Sequence, residues 1–247
     1  MIFIKIAGPL ITDKNKPFSV NWKTLETVSH SIGEVKEDII VGHGGGSFGH
    51  FIANEYAGQE SGYFKIRESM MKLNTIVVSS LIAKEIPAVS FSPSNFMLMK
   101  GGKIEQTMFD QILTSIKKYV PVLHFDPILD RENGYELLST EQILRELAKV
   151  IKPRKFLLAT TGPLTIKGEK VDEIADWNFR DIVPNLDDKE RLDIKGGIKE
   201  KVMELAHISA ENDIECYVFD GSSPHAIKRA WKFGEGTRIR VSKVPSL

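Results

Sequence analysis

A run of glycines between an apolar segment and a helix-like segment is the clearest chemical feature of the sequence. It reads Val41-Gly42-His43-Gly44-Gly45-Gly46-Ser47-Phe48-Gly49-His50. Successive glycines let the backbone approach a ligand closely and adopt positive φ angles. The N–H groups at the start of the following helix then form an anion site. The run lacks the Gly-Lys-Ser/Thr ending of a Walker A loop and the rest of the βαβ fingerprint of dinucleotide-binding folds. A tight structural turn is the alternative interpretation.

Some lysines occupy positions where a positive charge is unfavourable unless an anion lies nearby. Lys5 lies within the apolar segment 2–6, and Lys14 follows in a polar loop. An ammonium group in an apolar strand is costly unless it meets an anion. Lys201 follows Gly197 in the first turn of a predicted helix, where a lysine opposes the helix dipole. Solvated lysines at a strand end and in loops are the alternative.

Taken together, these segments favour phosphoryl transfer. That chemistry depends on positioning and on neutralising the charge of phosphate oxygens, for which lysines, backbone N–H groups and Mg²⁺ suffice. The sequence has neither a Ser-His-Asp catalytic order nor a His-Glu-x-x-His zinc motif. A phosphotransferase is therefore the prediction from chemistry alone.

The elements that position these residues alternate between short apolar and longer helical segments, which predicts βαβ units. Strands are predicted at residues 2–7, 38–42, 88–91, 120–125, 155–160 and 215–219. Helices are predicted at residues 22–32, 64–84, 106–118, 140–151, 199–211 and 225–231. Because the strands lack clean polar alternation, both faces of the sheet are expected to be covered. We predict a three-layer αβα sandwich around a mainly parallel sheet.

This sandwich is predicted to be one domain spanning residues 1–247, with an acceptor-substrate lobe at 1–151 and a nucleotide lobe at 152–247. No Gly/Ser-rich linker separates the two lobes. Residues 167–195 are rich in charge and keep no steady period, so hairpins, a flap or an irregular loop all fit there.

Composition narrows the function classes further. The 247 residues contain 33 Lys+Arg and 33 Asp+Glu, and this zero balance argues against a broad nucleic-acid-binding surface. The single cysteine, Cys216, excludes an internal disulfide and is predicted to be a buried thiol. No apolar run approaches the roughly 20 residues of a membrane helix, and the N-terminal residues lack signal-peptide features. We therefore predict a cytoplasmic protein with no membrane partner.

Four segments resemble the amino acid kinase superfamily, and within it the archaeal isopentenyl phosphate kinases most of all. They are residues 5–14, Gly44-Gly45-Gly46-Ser47-Phe48-Gly49-His50, residues 193–201, and Asp220-Gly221 with Gly236-Thr237-Arg238-Ile239. They follow in family order from the first strand to the last, so the resemblance covers nearly the whole chain. Ile11-Thr12-Asp13-Lys14 and His50 distinguish this subfamily from the carboxylate kinases.

The resemblance implies ATP-dependent phosphorylation of isopentenyl phosphate to isopentenyl diphosphate in an archaeal-type mevalonate pathway. It implies ATP and Mg²⁺ as cofactors and a homodimer. The absence of a nucleic-acid partner is predicted from the charge balance above. The implied catalytic residues are Lys5, Lys14 and His50, with Lys14 stabilising the transferring phosphoryl group. The implied ATP-binding residues are Lys5, Ile6, Ala7, Gly8, Pro9, Gly46, Thr161, Gly197 and Lys201. The implied substrate-binding residues are Gly45, His50 and Thr140, and no residue is assigned as a metal ligand.

The acceptor's own chemistry bears on the role of His50. A phosphate monoester has a second pKa near ~6, so its attacking oxygen is already ionised at neutral pH. Such an acceptor needs no general base, whereas a hydroxyl acceptor does. We therefore expect His50 to donate a hydrogen bond to the acceptor phosphate.

The sequence also departs from the family pattern around both ligands. The family's Gly-Gly-Ser is Ala7-Gly8-Pro9, where Pro9 lacks an N–H. The later Gly-Asp and Ser-Gly-Asp are Phe125-Asp126 and Ser139-Thr140-Glu141, and Asp-x-Asp-Gly-x-Tyr is replaced by Thr161-Gly162-Pro163-Leu164. Two alternatives follow from these departures. One is a superfamily kinase for another small phosphate or phosphonate acceptor, and the other is a non-catalytic binding member.

Overall fold

Strands and helices alternate through most of the computed structural model, which describes residues 1–13, 15–187 and 197–244. The strands are β1 (Ile2–Ile6), β2 (Ile39–His43), β3 (Ala88–Ser90), β4 (Met97–Lys100), β5 (Lys103–Thr107), β6 (Val120–His124), β7 (Asp126–Asp130), β8 (Gly134–Leu138), β9 (Lys155–Thr160), β10 (Thr165–Ile166), β11 (Glu169–Lys170), β12 (Glu173–Ala175), β13 (Glu215–Asp220) and β14 (Thr237–Arg240). The helices are α1 (Gly8–Ile11), α2 (Trp22–Gly33), α3 (Gly46–Tyr56), α4 (Gly62–Ile82), α5 (Asp110–Ser115), α6 (Thr140–Ile151), α7 (Phe179–Ile182), α8 (Ile198–Asn212) and α9 (Ala226–Phe233).

The main sheet has eight strands in the order β12-β14-β13-β9-β1-β2-β6-β3. Its pairings are parallel except for β13 with β14, which is antiparallel. Helices α2, α4 and α9 pack on one face, and α6 and α8 pack on the other. The predicted three-layer sandwich around a mainly parallel sheet is confirmed. The sheet runs without interruption across the predicted lobe boundary at residues 151 and 152, and the division into two lobes stays a prediction.

Strand β1 shows why the sheet needs both layers. All five of its residues are buried, and successive side chains point to opposite faces. Ile2, Ile4 and Ile6 join the core beneath α2, α4 and α9. Phe3 joins the core beneath α6 and α8. The alternation places Lys5 on the α6–α8 face, in a region where a charged group requires a partner.

The helix predicted at 106–118 is wrong in its first half. Residues Lys103–Thr107 form β5, which pairs with β4 in a hairpin, and only Asp110–Ser115 are helical. Gly101 and Gly102, both at positive φ, make the turn, and the Asp130 carboxylate accepts from their N–H groups at 3.0 and 2.7 Å. Glycine pairs favour such two-residue turns. These strands belong to a second sheet of order β5-β4-β7-β8, which was not predicted from the sequence.

Residues 167–195, for which hairpins, a flap or an irregular loop were all predicted to fit, contain regular structure in their described part. Strands β10 and β11 form a small hairpin, β12 joins the edge of the main sheet beside β14, and α7 follows. Residues 188–196 lie outside the described part. None of the described helices is long and apolar enough to cross a membrane.

The thiol of Cys216 is buried, as predicted. Its Sγ contacts the carbonyl of Leu205 at 3.4 Å, and burial raises the pKa of the thiol. The single cysteine is therefore part of the core.

Candidate active site

The loops that carry the predicted site residues begin at the carboxyl ends of neighbouring parallel strands. The N–H of Ala7, after β1, donates to Ala159 O of β9 at 2.9 Å, and the N–H of Gly44, after β2, donates to Ile6 O at 3.0 Å. The N–H of Gly221, after β13, donates to Thr160 O at 2.9 Å. Open α/β sheets bind ligands at this edge. The edge therefore gathers the glycine-rich turns into one region.

Two of these turns touch so closely that each requires glycine. A Cβ on Gly8 would lie 2.2 Å from the backbone nitrogen of Gly46, and a Cβ on Gly46 would lie 2.2 Å from Oγ1 of Thr12. Gly46 also has φ +48°, in the left-handed region that favours glycine. The hydroxyl of Thr12 accepts from the N–H of Ser47 at 2.9 Å. The loop after β1 and the start of α3 therefore pack as one unit.

Helix α3 begins at this contact, with Gly45 at the N-cap. Gly45 itself offers no side-chain cap, and Thr12 holds only the N–H of Ser47. Backbone N–H groups at a helix start attract anions. A Cβ on Gly45 would come within 2.9 Å of the Cα of Gly49. The turn thus presents backbone, rather than side chains, to the cleft in front of it.

Lys5 finds its partner within the protein. Its Nζ donates to Oε1 of Glu141 at 2.6 Å, and the two side chains are only 3% and 4% exposed. Glu141 occupies the first turn of α6, which Ser139 and Gln142 fix with a reciprocal capping box. The Ser-x-x-Gln spacing predicts that helix start. Sequence spacing did not reveal that Glu141 meets a lysine 136 positions away.

A cleft at the sheet edge brings most of the predicted residues together. It is lined by Lys5, Gly44, Gly45, Gly46, Gly49, His50, Phe125, Ser139, Thr140, Glu141 and Lys201. Lys201 lies in the first turns of α8, after Gly197 at the N-cap, and is 5% exposed. It also lines an adjoining cleft with Glu200 and Glu204. Two lysines and the start of α3 thus face one space.

His50 carries an unused hydrogen-bonding atom at the wall of this cleft. Its Nε2 lies 3.1 Å from the amide nitrogen of Asn54. Its Nδ1 is buried, with no hydrogen-bond partner among the described residues. Buried polar atoms are nearly always paired in folded proteins. A ligand phosphate would supply the missing partner.

The remaining predicted residues lie at the same edge, several with their side chains already engaged. Ile6 and Ala7 are fully buried, so only their backbone is available to a ligand. The hydroxyl of Thr140 donates to the carbonyl of His43 at 2.8 Å. Pro9 lies in the first turn of α1, and Thr161 is exposed just after β9. Lys14 lies outside the described residues.

A second buried polar group lies at the ends of β2 and β6. His43 and His124 stack with ring centroids 5.7 Å apart. Burial, with a contribution from His124, lowers the pKa of His43 to about 3, and burial lowers the pKa of His124 to about 4. The amide oxygen of Asn74 lies 3.2 Å from Nε2 of His43. Both imidazoles are therefore neutral at physiological pH.

Asp126 belongs to this second group. Its Oδ2 accepts from the N–H of Ser94 at 2.8 Å. Its Oδ1 is buried without a hydrogen-bond partner among the described residues, and Nδ1 of His124 lies 3.9 Å from it. Burial raises the pKa of this carboxyl to about 7. None of His43, His124 and Asp126 is predicted from the sequence as a site residue.

Comparison with known proteins identifies relatives over almost the whole length. The sequence model of the amino acid kinase family matches residues 1–220. Isopentenyl phosphate kinase of Methanocaldococcus jannaschii is 31% identical, covering 98% of this chain and 100% of that protein. The enzyme of the same name from Methanothermobacter thermautotrophicus is 31% identical, covering 97% and 98%. A solved structure described as isopentenyl phosphate kinase has a TM-score of 0.78 at 27% identity, covering 97% and 99%.

Proposed function

The chain belongs to the amino acid kinase family, and on that premise we propose that it transfers the γ-phosphoryl group of ATP to isopentenyl phosphate. A phosphate oxygen of the acceptor forms the new P–O bond, and ADP leaves. The observation that carries this proposal is the cleft where Lys5, Lys201 and His50 face the Gly45-Gly46 turn. The relatives above are named for the same reaction.

We propose that the acceptor phosphate lies against the start of α3. The ionised oxygen of a phosphate monoester is already a nucleophile, so the site needs no general base. It needs hydrogen-bond donors that bind the acceptor phosphate. The buried Nδ1 of His50 and the backbone of Gly45 supply such donors. This arrangement supports a small phosphate as acceptor rather than a hydroxyl compound.

The nucleotide phosphates are proposed to lie between Lys5 and Lys201. Glu141 holds the Lys5 ammonium in place, which reduces the reorganisation needed when phosphate charge develops. Glu141 is thus a positioning residue in this proposal. The ATP contacts predicted for Ile6, Ala7, Gly8, Pro9, Gly46, Thr161 and Gly197 form part of the same proposal. So does the role of Lys14 at the transferring phosphoryl group.

Magnesium is proposed to enter with the nucleotide. The carboxylate of Glu141 is already engaged by Lys5, so the residues fit an ion held chiefly by phosphate oxygens and water, as Mg²⁺ commonly is. When bound, the ion would neutralise charge on the phosphate oxygens. The predicted homodimer is also part of the proposal, and sedimentation of the purified protein measures it.

The proposal is tested through His50. ADP release is followed with ATP, Mg²⁺ and a panel of small phosphates that includes isopentenyl phosphate. Loss of a charge-assisted donor costs roughly 1.5–3 kcal/mol, so His50→Ala should weaken acceptor binding by about 10- to 100-fold. His50→Gln should recover part of the loss, which it would not do for a general base. ATP affinity measured without acceptor should not change.

The matched control is His207→Ala, on the partly exposed face of α8, which should leave both affinities unchanged. A fall in ATP affinity with acceptor affinity intact would show that the two sites are reversed. If a different phosphate in the panel is phosphorylated and isopentenyl phosphate is not, that phosphate replaces isopentenyl phosphate as the proposed acceptor. A wild-type protein that binds neither ligand would reject a kinase function.

A further inference from the structure

His30, Glu34 and His225 meet on the outer face of the helical layer, at a place that the proposed reaction does not use. His30 and Glu34 are one turn apart on α2 and its C-cap, and His225 is the N-cap of α9. One ligand-type atom from each lies within 4.8 Å of the others. Within residues 1–13, 15–187 and 197–244, no other group of three or more His, Cys, Asp or Glu has this spacing.

The chemistry of this trio matches a defined class of cation. Two imidazoles and one carboxylate are a common ligand set for Zn²⁺, which binds such groups at about 2.0–2.2 Å and leaves a fourth position for water. Mg²⁺ and Ca²⁺ prefer oxygen ligands alone. The trio therefore selects borderline cations over the ion that accompanies ATP.

The three side chains are already oriented toward one another. Nδ1 of His225 lies 2.8 Å from Oε2 of Glu34, and the rings of His30 and His225 are 5.9 Å apart. His225 holds φ at +61°, a conformation that costs energy for a residue other than glycine. The imidazoles of His30 and His225 are exposed and their ligand-type atoms already lie within 4.8 Å of each other and of the Glu34 carboxylate.

Lys228 influences the same carboxylate. Its Nζ donates to Oε1 of Glu34 at 2.8 Å. Nδ1 of His225 lies 2.9 Å from the same oxygen and 2.8 Å from Oε2, so the lysine and the histidine share Oε1. The ammonium orients Glu34, and its positive charge also opposes a bound cation. Removal of this charge should therefore strengthen cation binding.

We propose that His30, Glu34 and His225 form a Zn²⁺-type site that joins α2 to α9. The ligands come from distant parts of the chain, since Glu34 and His225 are 191 positions apart. A bound ion fastens the N-terminal part of the helical layer to the C-terminal part. The site is independent of the proposed kinase activity and uses none of its residues.

The experiment titrates Zn²⁺ into the metal-free full chain by calorimetry and repeats the titration with Co²⁺ followed by its absorption spectrum. One equivalent of Zn²⁺ is expected, with a four-coordinate spectrum for Co²⁺. His30→Ala and His225→Ala should each weaken binding by about tenfold or more, and Lys228→Gln should strengthen it. A hundredfold excess of Zn²⁺ over its Kd should raise the Tm by about 5–10 °C.

The matched control is His207→Ala. His207 and Glu211 repeat the His–Glu spacing on α8, with nitrogen and oxygen 4.0 Å apart, but they belong to no trio among the described residues. This variant should bind Zn²⁺ like the wild type. The proposal is overturned if His225→Ala and His207→Ala bind equally well, or if Mg²⁺ raises the Tm as much as Zn²⁺. Metal-free melting curves confirm that each variant is folded.

Discussion

Two buried polar groups lie at the carboxyl edge of the main sheet. One is an ion pair, and the other is a pair of neutral imidazoles. At the end of β1, Lys5 and Glu141 form an ion pair that is almost fully buried. At the ends of β2 and β6, His43 and His124 are also buried, and the pKa of each imidazole is far below its usual range. Burial alone removes the charge of a titratable group, whereas a partner of opposite charge retains it.

This difference in charge matches the proposed roles of the two groups. Phosphate binding needs a positive charge, and Lys5 carries one at the cleft because α6 supplies Glu141. The neutral imidazoles bond instead to their neighbours. His43 lies within hydrogen-bond distance of Asn74 and the carbonyl of Gly44, and His124 of the carbonyl of Phe125. Gly44 and Phe125 both line the cleft, so the imidazoles contact residues of its lining and add no charge to it.

The largest expected effect comes from breaking the ion pair. Glu141→Ala leaves the Lys5 ammonium buried without its partner, which typically costs about 3–5 kcal/mol of unfolding free energy. Urea unfolding measures this loss. The double variant Lys5→Met with Glu141→Leu should recover most of the stability. It should lack kinase activity, because it has lost the Lys5 ammonium. A loss below about 1 kcal/mol in Glu141→Ala would mean that the ammonium reaches solvent and that the comparison fails.

A smaller effect is expected from acidification of the imidazole pair. Because the folded protein holds both rings neutral, the unfolded chain binds more protons as the pH falls below about 6.5, and stability is lost toward the folded pKa values of about 3 and 4. At pH 5 the loss is about 2 kcal/mol per histidine. Urea unfolding at pH 7.5 and pH 5 should show a shallower pH dependence for His124→Gln.

The exposed Gln111 of α5 provides the control for that measurement. Gln111→Ala removes a polar side chain that has no titratable group, and this variant should keep the wild-type pH dependence. If the unfolding free energy changes equally with pH in His124→Gln and in the wild type, the buried pair is protonated in the folded protein.

The smallest effect concerns Asp126. Its pKa is raised from 3.8 to about 7 by burial, so the folded protein loses stability as the pH rises from about 4 to 7, and the loss is complete above 7. Asp126→Asn should therefore gain about 1 kcal/mol relative to the wild type between pH 6 and pH 8, as measured by urea unfolding. An unchanged difference would mean that Oδ1 has a partner in solution.

Asp130 is the matched contrast. Burial alone would raise the pKa of this carboxyl, but backbone N–H donors, including those of Gly101 and Gly102, lower it to about 2. Asp130→Asn should therefore destabilise the protein at neutral pH. The two aspartates separate the effect of burial from the effect of donors.

Much of this architecture could be predicted because its signals are local. Apolar segments and helix starts such as Ser139 gave the main sheet and α6, and the glycine run gave the start of α3. The second sheet was missed because β5 is largely exposed and polar, so only the Gly101-Gly102 turn marked its hairpin. Glu141 and the imidazole pair were missed because their partners lie far away in sequence. No spacing rule connects such residues before the fold is known.

The position of β1 within the sheet determines the order in which the chain can assemble. Ile2 pairs with Ile39 on one side and with Lys155 on the other. During synthesis, the first neighbour of β1 emerges early, and the second emerges only after more than half of the chain has been made. Until then one side of β1 has no neighbouring strand, and its apolar side chains lie on both faces of an exposed edge. Such an edge promotes aggregation. Such long-range parallel pairing also slows folding. The central strand is thus synthesised before both of its neighbours and is among the last elements to be completed.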